Sequence, residues 1–170
     1  MSIDAGLIIA RLVFGLLMAA HGAQKLFGWF GGHGLAGTAG FFDALGFRPG
    51  RVFASTASLA EFAGGLLIAL GLFGPVGPAL MLAVMIVAAV SVHLRNGLFA
   101  MSNGIELPLL YGAAGAALTL TGPGRYSLDA LLGLEPLWTP VLAWSALGLA
   151  IVGGVANLAV RRSAPAVATA

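Results

Sequence analysis

The sequence predicts an all-α protein, a transmembrane helical bundle, and three observations carry that prediction. The chain of 170 residues is 59 % hydrophobic and only 8 % charged, whereas a soluble domain carries about 25 % charged residues. Its apolar runs approach the ~20 residues needed to cross a ~30 Å hydrocarbon core. Glycine and proline clusters punctuate those runs. With so little charge to coat a globule, lipid is the expected solvent. A net charge of +2 is too small to point to nucleic acid, and the absence of cysteine excludes thiolate chemistry and Cys-ligated metal centres within this chain. The N-terminus has no basic region ahead of its apolar run and no clear cleavage site, so the first run reads as a retained helix.

Taken in order, span one covers residues 5–26. A glycine-rich stretch follows, and within it residues 35–45 hold Phe41, Phe42 and Leu45 close together. That piece is too short to cross, and its aromatics suit an interfacial helix or re-entrant segment at about 28–50. Span two covers 53–73 and ends at the turn Gly74, Pro75, Gly77 and Pro78. Span three covers 79–93, a polar loop runs from Arg95 to Gly104, and span four covers 105–120. After Glu135 and Pro136 a last apolar run, 138–160, is closed by Arg161 and Arg162. The expected organisation is a four-helix unit over 1–133, an added C-terminal span within 134–162, and a disordered tail at 163–170. Gly15 and Ala19, Ala57, Gly64 and Gly65, and Gly112, Ala113, Ala116 and Ala117 read as surfaces for close helix packing, since small residues let backbones approach in lipid.

With five spans, one membrane face gathers Lys25, Arg48, Arg51, Arg95, Arg161 and Arg162, while the other has Arg125 alone. Basic residues accumulate in cytoplasmic loops. The expectation is therefore an outer N-terminus and an inner C-terminus.

Ionisable residues inside spans are expensive and read as functional by default. Asp4, Arg11, Met18 and Lys25 recur every seven residues, which keeps them on one slowly drifting stripe of span one. His21 flanks that stripe. Glu61 shares a face of span two with Ala57, Gly64 and Gly65, His93 ends span three, and Asn103 and Glu106 open span four. At ~1.5 Å per residue, His21, Gln24, Lys25, His93 and Glu106 lie near the basic face, Glu61 about 12 Å below it and Arg11 about 20 Å below it. Two histidines, a lysine and two carboxylates can thus converge, with Arg11 extended toward Glu61 or snorkelling to the near surface. Plainer roles stand beside this one. Lys25 and Arg95 serve as topology anchors, His93 and Glu106 cap helices, and Arg11 with Glu61 locks the bundle. No metal is expected, because the His21–Lys25 spacing is no metal signature.

Five motifs in order resemble the DoxX family of small membrane proteins. The first runs from Arg11-Leu12 through His21-Gly22-Ala23-Gln24-Lys25-Leu26-Phe27-Gly28 into Gly31-Gly32 and Gly34–Thr38. The others are Ala60-Glu61-Phe62 with Gly64-Gly65, Val92-His93-Leu94 with Asn96-Gly97, Asn103–Pro108, and Gly122–Asp129. The resemblance covers roughly residues 5–133, and the last span is an addition to the usual four-helix unit. It implies a multi-pass protein of a bacterial-type cell membrane and an association with redox chemistry, as a subunit of a quinone-coupled or oxidative-stress assembly. It does not by itself assign a reaction. Carried over by position, its site residues are Arg11, His21, Gln24, Lys25, Glu61, His93, Asn103 and Glu106.

Three functional readings follow. In the first, the bundle is a redox-associated subunit holding a quinone or similar lipid-soluble ring beside proton-carrying side chains, with Lys25 or Arg11 polarising a carbonyl. No haem-ligand pair and no flavin or nucleotide fingerprint is evident, so electrons would come from a redox-enzyme partner. In the second, it is a scaffold that recruits soluble enzymes through Phe41, Phe42, Arg48 and Arg51. In the third, it is a small-solute permease, for which five spans are few unless the chain forms a homo-oligomer.

Overall fold

The structure is a computed structural model that describes residues 2–162; the expected disordered tail lies outside the described residues. Among the described residues the regular structure is entirely helical. The helices are α1 (Ser2–Phe27), α2 (Gly34–Ala44), α3 (Gly50–Leu70), α4 (Val76–Ala88), α5 (Glu106–Thr121), α6 (Leu128–Leu131) and α7 (Pro140–Ala159). Four helical stretches are long and apolar enough to cross a membrane: Ile3–Phe27, Gly50–Leu70, Val76–Asn96 and Pro140–Ala159. The expected fourth span is present as α5, but its 16 residues reach only about 24 Å. The short α2 lies between α1 and α3, where the sequence placed an interfacial segment.

Hydrophobic side chains point outward here as well as inward. Leu12, Val13, Leu16 and Leu17 on α1, Leu109 and Leu110 on α5, and Leu149 and Val152 on α7 are all exposed. So continuous an apolar surface is far beyond what a soluble monomer presents, and it suits acyl chains. The interior holds Met18, Ile68, Met81, Tyr111 and Leu118, with Phe14 set edge-on to Tyr111 at 5.5 Å.

Small residues bring α1 and α3 into backbone contact. A Cβ built on Gly65 would lie 2.4 Å from the Ala19 nitrogen and 2.6 Å from the Gly15 oxygen. The packing surfaces expected at Gly15, Ala19 and Gly65 therefore meet one another directly. Ala113 and Ala117, by contrast, face outward.

The second span starts and stops three residues earlier than expected, and both shifts have local causes. At its start, the Asp43 carboxylate accepts a hydrogen bond from the Gly50 amide at 2.8 Å, and this satisfies one of the free donors of a helix N-terminus. At its end, Gly71 adopts a left-handed backbone (φ 65°). The Leu72 amide then reaches back to the Leu67 carbonyl at 2.9 Å and the Gly71 amide to Ile68 at 3.1 Å, a Schellman ending. The third span overshoots its expected end at 93. It continues through a π-helical turn, Ala89–His93, and a 3₁₀ turn, Leu94–Asn96.

The end of the bundle that carries the N-terminus is tied together by two buried charges. Asp129, fully buried, accepts from the Phe73 amide at 2.9 Å and the Gly74 amide at 2.6 Å. Arg11, 4 % exposed, donates to the carbonyls of Pro123, Tyr126 (2.8 Å) and Ala69 (3.4 Å). Asp129→Ala is expected to lower stability by about 2 kcal/mol, because it strands the buried Gly74 amide and leaves the Phe73 amide without its partner. Thermal unfolding in detergent, with Asp129→Asn as the milder companion, checks this. At the other end α7 returns to α2: the Arg162 amide donates to Gly46 O at 2.9 Å and the Arg161 side chain to Leu45 O. The last apolar run, one of the four stretches long enough to cross a membrane, thus brings both arginines to the end of the bundle that carries α2.

Candidate functional site: a polar cavity within the bundle

Between the end of α1 and helices α2, α3, α4 and α7 lies a cavity of about 850 Å³, within the ordinary size range of small-molecule sites. Its walls are mostly apolar: Phe41 and Phe42 from α2, Phe47 from the following turn, Phe53 from α3, and Val84 and Val87 from α4. Gly153 and Gly154 of α7 complete the lining, and Gly154 lets α7 pack closely on α4 at Ala83 and Ile86. Gln24, Lys25, His33, Glu61, His93 and Asn157 are polar residues of the same lining.

The central feature is an ion pair. Lys25, in the last turn of α1, donates its ammonium to Oε1 of Glu61 on α3. A cation at a helix C-terminus also meets the negative end of the helix dipole. Thr38 of α2 anchors this corner, donating to the carbonyls of Gly34 at 2.8 Å and Lys25 at 3.3 Å. Since α3 begins at Gly50, Glu61 sits about 16 Å along it, closer to mid-bundle than the 12 Å expected. The two partners differ in wetting: the Lys25 side chain is 35 % exposed and that of Glu61 1 %. Oε2 of Glu61 is buried and has no hydrogen-bond partner among the described residues.

Arg11 is not part of this site: of its two expected courses, toward Glu61 or toward the near surface, it takes the second. Its guanidinium is held by loop carbonyls at the opposite end, and Lys25 takes the carboxylate instead. The reason is geometric, since Arg11 lies about 21 Å of helix away from Lys25.

The other candidates divide between cavity and loop. Gln24 and His93 line the cavity. His21 does not; its Nδ1 lies 3.2 Å from Gln24 Oε1, and its ring stands edge-on to Tyr111 at 6.1 Å. Gln24 donates onward to Phe30 O at 3.3 Å. His93 Nδ1 donates to the Asn103 carbonyl at 2.8 Å, so one ring nitrogen of this lining residue holds the loop. Asn103 takes a left-handed backbone (φ 60°), a conformation Asn tolerates better than most residues. The Glu106 carboxylate accepts from the Ala100 amide at 2.7 Å. Asn103 and Glu106 thus shape the loop that supports His93 and stand outside the cavity. Among the described residues, no three His, Asp or Glu side chains gather as a metal site requires.

His33, Asn157 and Asp129 are not among the expected site residues, and Asp129 stands in the sequence only as the end of the Gly122–Asp129 motif. Asn157 carried a usable signal, being a lone amide in an otherwise apolar run. His33 sits among glycines with no periodicity to place it, and Asp129 lies in the single-turn helix α6, whose partner, the α3–α4 connection, is more than fifty residues away.

Fold and site together define a multi-pass membrane protein whose helices surround a mostly apolar cavity with a lysine–glutamate ion pair on its wall. The chain belongs to the DoxX family, whose profile matches residues 6–94, just over half of its length. That stretch contains α1 to α4 and, with them, Lys25, His33, Glu61 and His93; α5, α6 and α7 follow it. No curated protein and no solved structure matches the chain.

Proposed function

We propose that this protein is the membrane subunit of a redox or oxidative-stress assembly, and that it holds a lipid-soluble, quinone-like ring in the cavity. The observation that carries this reading is the cavity itself: an aromatic and aliphatic chamber large enough for a substituted ring, with a lysine–glutamate pair and a histidine on its walls. Apolar surface retains the ring and a few placed polar groups orient it. Lys25 polarises a ring oxygen, and Glu61 and His93 carry protons to or from it. Electrons come from a partner protein. The basic end, with Lys25, Arg48, Arg51, Arg95, Arg161 and Arg162, faces the cytoplasm. Phe42 stands 5.7 Å from Phe47 and lines the cavity with Phe41, which favours a role for α2 in holding the ligand over a role in docking soluble enzymes.

Gentle extraction of the full-length chain from its native membrane, followed by solvent extraction and chromatography, tests this. Close to one isoprenoid or similar ring compound per chain is expected, falling several-fold in a Phe53→Ala, Val87→Ala variant that widens the chamber. Repeated absence of any co-purifying ring compound would remove the reading.

A further inference from the structure

We infer that the cavity selects its ligand by a hydrogen-bond donor, an O–H or N–H presented to Oε2 of Glu61. The inference rests on the ligand-holding reading above and goes beyond it by fixing the polarity of the recognised group. The argument starts from the two carboxylate oxygens. Oε1 is engaged by Lys25, whereas Oε2 is buried and unpartnered on a residue 1 % exposed. An ionised carboxylate is an acceptor only. A ligand group next to it therefore satisfies it only by donating.

The lysine beside it makes the opposite demand, and exposure decides between the two. Lys25 has two ammonium protons beyond the one given to Glu61, but a side chain 35 % exposed can give those to water. Glu61 has no such recourse. A ketone oxygen entering the cavity serves Lys25 and leaves Oε2 stranded. A hydroxyl serves both at once, accepting from Lys25 and donating to Glu61. A stranded buried acceptor carries a penalty worth about one to two orders of magnitude in affinity. The ligand class is thus a phenol, hydroquinone or alcohol with an apolar body, in preference to a quinone or ether of the same shape.

Binding to the full-length protein in lipid nanodiscs, with empty discs subtracted to remove partitioning, reads this preference. The probes are decylhydroquinone, kept reduced, and its dimethyl ether, with 1-dodecanol and dodecyl methyl ether as a ringless pair. The hydroquinone is expected to bind at least about tenfold tighter than its ether, and Glu61→Gln to reduce that ratio to about twofold or less. Equal binding of hydroquinone and ether by the wild-type protein overturns the donor rule while leaving ring binding intact. The wild-type comparison decides this even if the variant does not fold. An undiminished preference in a folded Glu61→Gln protein also overturns it. If neither ring compound binds but dodecanol is preferred to its ether, the quinone-like reading falls and the donor rule stands. If none of the four binds, both fall.

Discussion

Lys25→Met is expected to destabilise the bundle by about 3 kcal/mol, the lower end of what breaking a buried ion pair typically does. The lower end applies because Lys25 keeps partial exposure, at 35 %. Methionine fills nearly the same volume, so the loss isolates charge from packing. What remains after the substitution is a carboxylate 1 % exposed with both oxygens unpartnered. The double variant Lys25→Met, Glu61→Leu removes both charges and is expected to recover most of the loss, since a buried pair replaced by apolar groups of similar size is often neutral. Thermal or denaturant unfolding of Lys25→Met, Glu61→Leu and the double variant beside the wild type in one detergent closes the cycle. A single variant within about 0.5 kcal/mol of wild type would mean that Glu61 finds another partner, and the ion pair would cease to be the organising element of the cavity.

The double variant also separates stability from function. A pair that can be replaced without loss is retained for another reason, and a carboxylate with one free oxygen in a ligand-sized chamber supplies one. A fold-restored double variant should therefore no longer retain the ring compound found with the wild-type chain.

Much of this was legible in the residues because a bilayer imposes a simple code. Apolar length fixed α1, α3, α4 and α7, and the Gly-Pro punctuation fixed their turns. The seven-residue recurrence of Asp4, Arg11, Met18 and Lys25 places them on one stripe, and the structure turns that stripe inward: Met18 and Arg11 are buried, Lys25 meets Glu61, and Asp4 accepts from the Arg125 amide at 3.0 Å. Depth was legible only roughly. An error of three residues in the start of α3 moved Glu61 by about 5 Å, and periodicity could not tell whether Lys25 or Arg11 would claim it. Pairing across the bundle depends on which helices adjoin. One sequence does not state that, and so it leaves Arg11 two courses, toward Glu61 or toward the near surface. Loop carbonyls, which capture Arg11, leave no residue signature at all. His33 and Asn157 enter the cavity from α2's leading edge and from α7, and both placements follow from how those elements close over α3 and α4.

Gly65→Ala is expected to have the second large effect, about 2–3 kcal/mol, although it adds one methyl group. That methyl would lie 2.4 Å from the Ala19 nitrogen and 2.6 Å from the Gly15 oxygen. Both are backbone atoms of a helix and cannot turn aside as a side-chain end would. The two helices must separate, and overpacking of this kind ordinarily costs 1–3 kcal/mol. The strain also reaches the cavity, because Glu61 lies one turn before Gly65 on α3 and Lys25 less than two turns beyond Ala19 on α1. Spreading the helices lengthens the Lys25–Glu61 contact, so ligand retention should fall along with stability. Gly148→Ala is the control. It sits on the exposed side of α7 with nothing within 4 Å of the added carbon, and alanine is the better helix former by about 1 kcal/mol. It should unfold at or above the wild-type temperature with ligand retention unchanged. If Gly65→Ala proved as harmless as Gly148→Ala, the α1–α3 seam would have slack, and the distance between the two charged residues could not be held by backbone contact.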